Sequence, residues 1–541
     1  MKRENYLNLI GFCMLGAAFL FALIRVFGFD DRATADGRAV LRFAHWQLEG
    51  GLRDAFEQLA RDYERLHPDV RVEQLAIPER TYAQWIKTQL VGGTTPDIVQ
   101  LGRGTDTETV ARYFVPLGDA VEQPNPYNAG TPLAETPWRD TILDGMAASP
   151  SYYADLLENY GAPVSMFTVR VYYNRDLWRR ILGDTPPPRT YDEFLAVFPR
   201  VEDFNRRTGR TVLPIAGSRS NAPMLINAYM QNQTQRLVQD RVAGPALRAN
   251  GPELGLALLS GDWTLRDPAY LDALDIARTL ALRMPPGFMQ LGREDASFYF
   301  IQGRALMITT GSWDSPSFRS QVEFDLGVFQ APLPTAEHPR YGRNLQGRSS
   351  EAEVGTGLVF GITRQSASAE RALDFLRFLA SQPHNTRFTE LSGWLPSVVG
   401  VVPPSDIEPF LPEPDGYVPG FDFSLSQIGP DTVRTIETAS NRLFSPHGSV
   451  EDFVSVLEDR LPAGVKSDLR RVLRNGQGSL ARQDIALLGW FSLGVHDPSD
   501  SIIADKITRL LEAQNSLETS RAWLDAKLNQ LETDEGKNMH K

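Results

Sequence analysis

Tryptophans standing beside carboxylates are the residues of this 541-residue chain best equipped for chemistry. Trp313 and Asp314 close the run GSWD directly after the β-rich run ALMIT, and Trp46, Gln47 and Glu49 follow the β-rich run VLRFA. An indole gives a small polar ring a flat apolar platform for its C–H face, while carboxylates, amides and guanidinium groups serve its hydroxyl edge. Trp313 is expected either to project from its turn into a cleft or to pin that turn from the core. Asp314 would accept hydrogen bonds from hydroxyls. Arg103, just after DIVQL, is a fork of donors for hydroxyls or a carboxylate, and equally a partner for a salt bridge between two parts of the fold. Tyr172 and Tyr173 alternate in the strand-like run VRVYY, so only one of them can face a cleft, and Tyr173 is the candidate. Asn227, Gln231 and Asn232 recur at helical spacing; they read first as a solvated helix face and second as ligand contacts, with Asn232 foremost. Glu49 and Asp314 are also the pair to inspect for glycoside hydrolysis, which needs two carboxylates across a cleft. Their plainer role is as two hydrogen-bond acceptors, and no catalytic residue is assigned.

Other chemistries lack their spacing. The seven histidines are scattered with no pair three or four apart, so no metal is expected. Neither a G-x-x-x-x-G-K loop nor a G-x-S-x-G elbow occurs, and GRG at Gly102 and GTG at Gly355 are too short to cradle phosphates. No cofactor is expected. A net charge of −12 argues against nucleic acid or an anionic membrane surface as partner, since both call for a basic face. The single cysteine, Cys13, lies in the apolar N-terminal run, so no disulfide can form within the chain.

These residues need elements to hold them. Length alone implies two or more domains. VLRFA reads as a strand, and Leu52, Phe56, Leu59, Tyr63 and Leu66 then recur at helical spacing until Pro68. Strand, helix and strand follow again over Val70 to Leu101, an α/β opening with parallel crossovers. Such units leave the loops at the carboxyl ends of the strands free to bind, and Trp46, Glu49 and Arg103 occupy those loops. The span Ala222 to Met284 reads as mostly helical and Val402 to Pro430 as irregular. Ile503, Ile507, Leu510, Leu517, Leu524, Leu528 and Leu531 form a 4,3 stripe on one long C-terminal helix, which packs on its own chain's second half or pairs with another chain. At the other end, Lys2 and Arg3 precede an apolar run from Leu7 to Ile24. Its length lies between a secretory core and a spanning helix; an uncleaved anchor is the preferred expectation, with cleavage near Ala33-Thr34-Ala35 the alternative.

Four stretches in order carry a resemblance: TPDIVQLG (Thr95–Gly102); YGAPVSMFTVRVYYNRDLW (Tyr160–Trp178) with PPRTYDEF; FIQGRALMITTGSWD (Phe300–Asp314); and GLVFGITRQSASAERALDFLRFLAS (Gly357–Ser381) leading to SGWLPS. Together they resemble the bacterial extracellular solute-binding proteins, the family that includes the maltose-binding protein, over roughly Val40 to Val401. The resemblance implies an α/β, two-lobed periplasmic-binding-protein clamshell of type II with hinge crossovers. It also implies a small-molecule ligand of the carbohydrate class and delivery to ABC permease subunits in the inner membrane from the periplasmic or extracytoplasmic face. On that pattern, residues 1–38 are the anchor or signal segment, 39–165 and 340–385 the first lobe, 166–339 and 386–495 the second, and 496–541 the C-terminal amphipathic helix. Trp46, Gln47 and Glu49 fall on the first lobe's cleft wall, Trp313 matches a ligand-facing aromatic, and Trp394 in GWLP matches the cleft's far rim, or packs on the proline-rich loop. The anchor and the C-terminal helix depart from the family pattern, which leaves a membrane-tethered sensor or scaffold as the alternative.

Overall fold

The computed structural model describes residues 37–49, 51–243, 249–352 and 355–539. The expected N-terminal anchor falls outside them; among the described residues no helix is long and apolar enough to cross a membrane. Strand β1 (Ala39–His45) buries Leu41, Phe43, Ala44 and His45. The helix Leu52–Leu66 then buries Leu52, Ala55, Phe56, Leu59, Ala60 and Tyr63, one stripe at helical spacing that lies on the sheet. Strands β2 (Val70–Ala76) and β3 (Ile98–Gln100) flank β1 in parallel, as the α/β opening requires. A small ribbon of β4 (Tyr152–Tyr153) and β5 (Glu158–Asn159) precedes β6 (Ala162–Met166).

The chain then changes lobes. Strands β7 (Val169–Asn174), β8 (Leu213–Ala216), β9 (Ala305–Gly311) and β10 (Leu326–Phe329) build a second sheet in the order β10-β7-β9-β8. Between them, Pro186 to Pro188 cannot be helical, and Thr190 caps the helix Tyr191–Thr208 through a reciprocal pair of hydrogen bonds with Glu193. Strands β11 (Thr356–Ile362) and β12 (Leu395–Pro396) return to the first sheet, whose order is β12-β6-β11-β3-β1-β2 with β11 antiparallel to β3 and β6. Two segment boundaries move accordingly. Leu395 and Pro396, expected in the second lobe, pair with β6 of the first sheet. Tyr341, expected in the first lobe, joins the second lobe's core, and Arg343 and Asn344 bond to Asp272 there.

One residue ties the crossings together. Arg170 at the start of β7 is 2% exposed. Its guanidinium donates to both Glu351 oxygens at 2.8 and 2.9 Å, to Pro409 O at 3.1 Å and to Leu411 O at 2.8 Å. Glu351 lies on the second passage between the sheets and Pro409 and Leu411 on the third, so all three passages meet at a single cation. Thr168 adds a hydrogen bond to Phe410 O at 2.6 Å.

The C-terminal stripe belongs to a pair of helices, Val450–His496 and Ser501–Met539. At 1.5 Å per residue the first is about 70 Å long. Its Phe453, Val454, Leu457, Leu461, Val465 and Leu469 are buried in the second lobe's core together with Leu524 and Leu528 of the second helix. The stripe therefore packs on its own chain.

Candidate functional site

The loop after β1 is organised by the end of β3. Trp46 N donates to Gln100 Oε1 at 3.2 Å, and its ring meets Tyr82 edge-on with centroids 4.9 Å apart. The Gln47 amide is oriented by its neighbours: its oxygen accepts from Trp46 Nε1 at 3.0 Å and Gln100 Nε2 at 3.1 Å, which leaves its nitrogen to donate to Glu49 Oε2 at 3.2 Å. Arg103 stands 6.0 Å from the Trp46 ring centroid and pairs with Glu79 of the same lobe, not across two parts of the fold as its alternative role required.

From the other lobe, β9 ends in Gly311, and the short turn Ser312–Asp314 presents Trp313 and Asp314. A Cβ at position 311 would lie 2.3 Å from the Trp313 ring, so the glycine of GSWD is what allows the indole to fold over its own strand end. The indole is half-buried, meets Phe167 edge-on at 5.1 Å and packs against the first lobe's core. Asp314 is buried and accepts from Thr310 Oγ1 at 2.6 Å.

Arg293, opening the helix Arg293–Ile301, joins the two walls. Its Nη2 lies 2.5 Å from Asp314 Oδ1 in its own lobe and 3.4 Å from Glu49 Oε1 in the other, and its guanidinium stands 5.9 Å from the Trp313 centroid. Burial raises the Glu49 pKa above the usual carboxylate value, with Arg293 opposing that shift. Both carboxylates considered for hydrolysis thus serve one guanidinium as acceptors.

Next to Phe167 a cavity of about 340 Å³ is bounded by the crossing residues Thr168 to Arg170, by Met224, Leu225 and Ala228, and by Thr309. Thr309 Oγ1 and Trp313 Nε1 are buried polar atoms with no hydrogen-bond partner in the protein. Thr309 lines this cavity, and a hydroxyl-rich molecule placed there would supply what its hydroxyl lacks.

Three expected contacts lie elsewhere. Tyr173 is buried in the second lobe's core against Trp178 and Phe329, and Tyr172 is buried too, with its hydroxyl on Gly311 O at 2.9 Å. Strand alternation separates a core side from an open side only where one face is uncovered, and β7 is covered on both. Trp394 is 4% exposed within the first lobe's core, because the left-handed Gly393 turns the chain inward after its helix. Asn232 is 1% exposed rather than solvated; it accepts from Gln233 Nε2 at 2.9 Å and borders a separate cavity of about 700 Å³ beside the prolines at 186–188. Sequence reasoning missed Arg293, Thr309 and Phe167. Thr309 and Phe167 lay inside quoted motifs, whereas Arg293 opens a helix outside them and carried no signal.

Residues 49–385 match the sequence profile of the bacterial extracellular solute-binding proteins. The Multiple sugar-binding protein of Streptococcus mutans is 21% identical over 412 residues, 74% of this chain and 84% of that protein. A binding protein of Brucella abortus is 22% identical over 347 residues, 63% and 72% respectively. Among solved structures, the GacH receptor of Streptomyces glaucescens, studied unliganded and with acarbose, superposes with a TM-score of 0.56 at 17% identity, covering 79% of this chain and 99% of that one. The maltose/maltodextrin-binding domain of Bdellovibrio bacteriovorus, bound to maltotriose, gives 0.51 at 14% identity, covering 80% and 100%. At these identities the structural likeness establishes the two-lobed α/β fold.

Proposed function

This chain belongs to the bacterial extracellular solute-binding protein family, and we propose that it is the extracytoplasmic binding component of an ABC importer, taking a sugar or oligosaccharide between its lobes and delivering it to a membrane permease. The observation that carries this reading is the meeting of two walls: Trp46, Gln47 and Glu49 from the first lobe, Trp313, Asp314 and Arg293 from the second, with an ion pair between them. Apolar ring faces bordered by acceptors and donors suit a hydroxylated ring. Contacts from both lobes at once are what allow a ligand to shift an open–closed equilibrium, because only differential affinity for the two states does so. Buried Thr309 Oγ1 and Trp313 Nε1 add two polar groups that a bound hydroxyl would satisfy. The apolar run from Leu7 to Ile24 supports a tether to the inner membrane, which would keep the protein beside its permease.

A thermal-shift screen of the purified chain against mono- and oligosaccharides, beginning with maltotriose and acarbose, tests the reading. A ligand that binds the folded state alone raises the melting temperature in proportion to RT ln(1 + [L]/Kd). A saturable rise with one saccharide, recovered intact after long incubation, is the expected result. No rise with any saccharide, or recovery of cleaved product, overturns it.

A further inference from the structure

The helices Val450–His496 and Ser501–Met539 are rooted in the second lobe by the side chains of Phe453 through Leu469 and by Leu524 and Leu528. Their far end reaches the other lobe. Residues Ser501 to Ala513, just past the turn, face Gly118, Glu122, Arg139, Tyr152 and Glu158 across a cavity of about 830 Å³. One polar bond closes the gap: Lys506 Nζ lies 3.5 Å from Glu158 Oε2, with the two side chains only 27% and 17% exposed. The acceptor is fixed in advance. Glu158 Oε1 takes the Asn159 N–H at 2.9 Å, and the carboxylate lies so close over Gly118 that a Cβ there would be 2.2 Å from it. The neighbouring cations are engaged elsewhere, Arg509 with Asp505 at 2.8 Å and Arg139 with Glu122.

A stiff element rooted in one lobe and seated on the other cannot keep both attachments while the lobes rotate about the crossings. We infer that the helical pair is a brace between the lobes, whose seat, Lys506 on Glu158, forms when they come together, breaks when they part, and biases the molecule toward the closed arrangement. The family's two-lobed framework needs no such element, and nothing in the inference depends on which ligand binds. A partly exposed ion pair contributes on the order of 0.2–1 kcal/mol, which is roughly a 1.5- to five-fold change in the closed-to-open ratio.

The test is a distance measurement without ligand. Because the native cysteine is confined to position 13, the full chain carrying Cys13→Ser, Glu57→Cys and Glu323→Cys accepts one nitroxide on the exposed surface of each lobe. Double electron–electron resonance then reads the populations of short and long separations. Lys506→Glu is expected to enrich the long separation up to about five-fold, Glu158→Gln to do so less, and the exchange Lys506→Glu with Glu158→Lys to restore the parent distribution. An unchanged distribution in both single variants, or a shift that persists in the exchanged pair, overturns the inference. Since no saccharide enters the experiment, a failed ligand screen and a failed brace remain separate outcomes.

Discussion

Arg170 and Arg293 are both arginines that bind carboxylates between parts of the fold, and they differ in every respect that decides permanence. Arg170 is 2% exposed, meets Glu351 through two parallel bonds of 2.8 and 2.9 Å, and holds three backbone carbonyls besides. Arg293 is 27% exposed, holds Asp314 of its own lobe closely, and reaches Glu49 across the cleft at 3.4 Å. The first leaves no donor to spare and belongs to the pivot. The second has one strong bond that stays with its lobe and one weak bond that opening can break at little cost. On the proposed closure, this architecture uses the same chemical pair twice, once sealed from water as an axle and once left near water as a contact.

Changes at the two arginines and beside them sharpen that contrast. Arg170→Met should be the most damaging, because it strands three backbone carbonyls without their donor and takes both guanidinium bonds from Glu351; a loss of about 3–5 kcal/mol in urea-induced unfolding is expected. A loss under 1 kcal/mol would mean that the crossings do not depend on their common cation. Trp313→Ala should leave unfolding of the lobes much less affected, yet weaken the saccharide found by the thermal screen by at least about 1 kcal/mol in titration calorimetry. Unchanged affinity would remove the indole from the site. Glu49→Gln should have the smallest effect, less than about 1 kcal/mol on unfolding, since it severs only the long arm of the Arg293 cluster. A cost comparable to Arg170→Met would erase the distinction between axle and contact.

The elements that carry the cleft were legible because their signals are local. The β-rich runs VLRFA and DIVQL and the helical spacing that stops at Pro68 define the first lobe's opening elements, and the loop after the first strand holds Trp46, Gln47 and Glu49 as expected. GSWD marks its own turn. Arg293 was not legible, since its partners sit 21 and 244 residues away and no local pattern distinguishes it from other helix-opening arginines. Tyr173 and Trp394 were misplaced for a shared reason: burial on both sides of a strand, or behind a turn, is set by what a distant part of the chain lays over it. The helix Val450–His496 was hidden by Pro462 and by glycines at 464, 476, 478, 489 and 494, residues that weaken an isolated helix but are tolerated where tertiary packing holds it.

Gly311 lets the Trp313 ring lie across its own strand end at a distance no other residue would permit. The orientation of the platform is thus governed by a neighbour that need never touch a ligand. A single added methyl at 311 would tilt the indole, so selectivity for one ring shape over another can drift while every group that contacts the cargo stays the same.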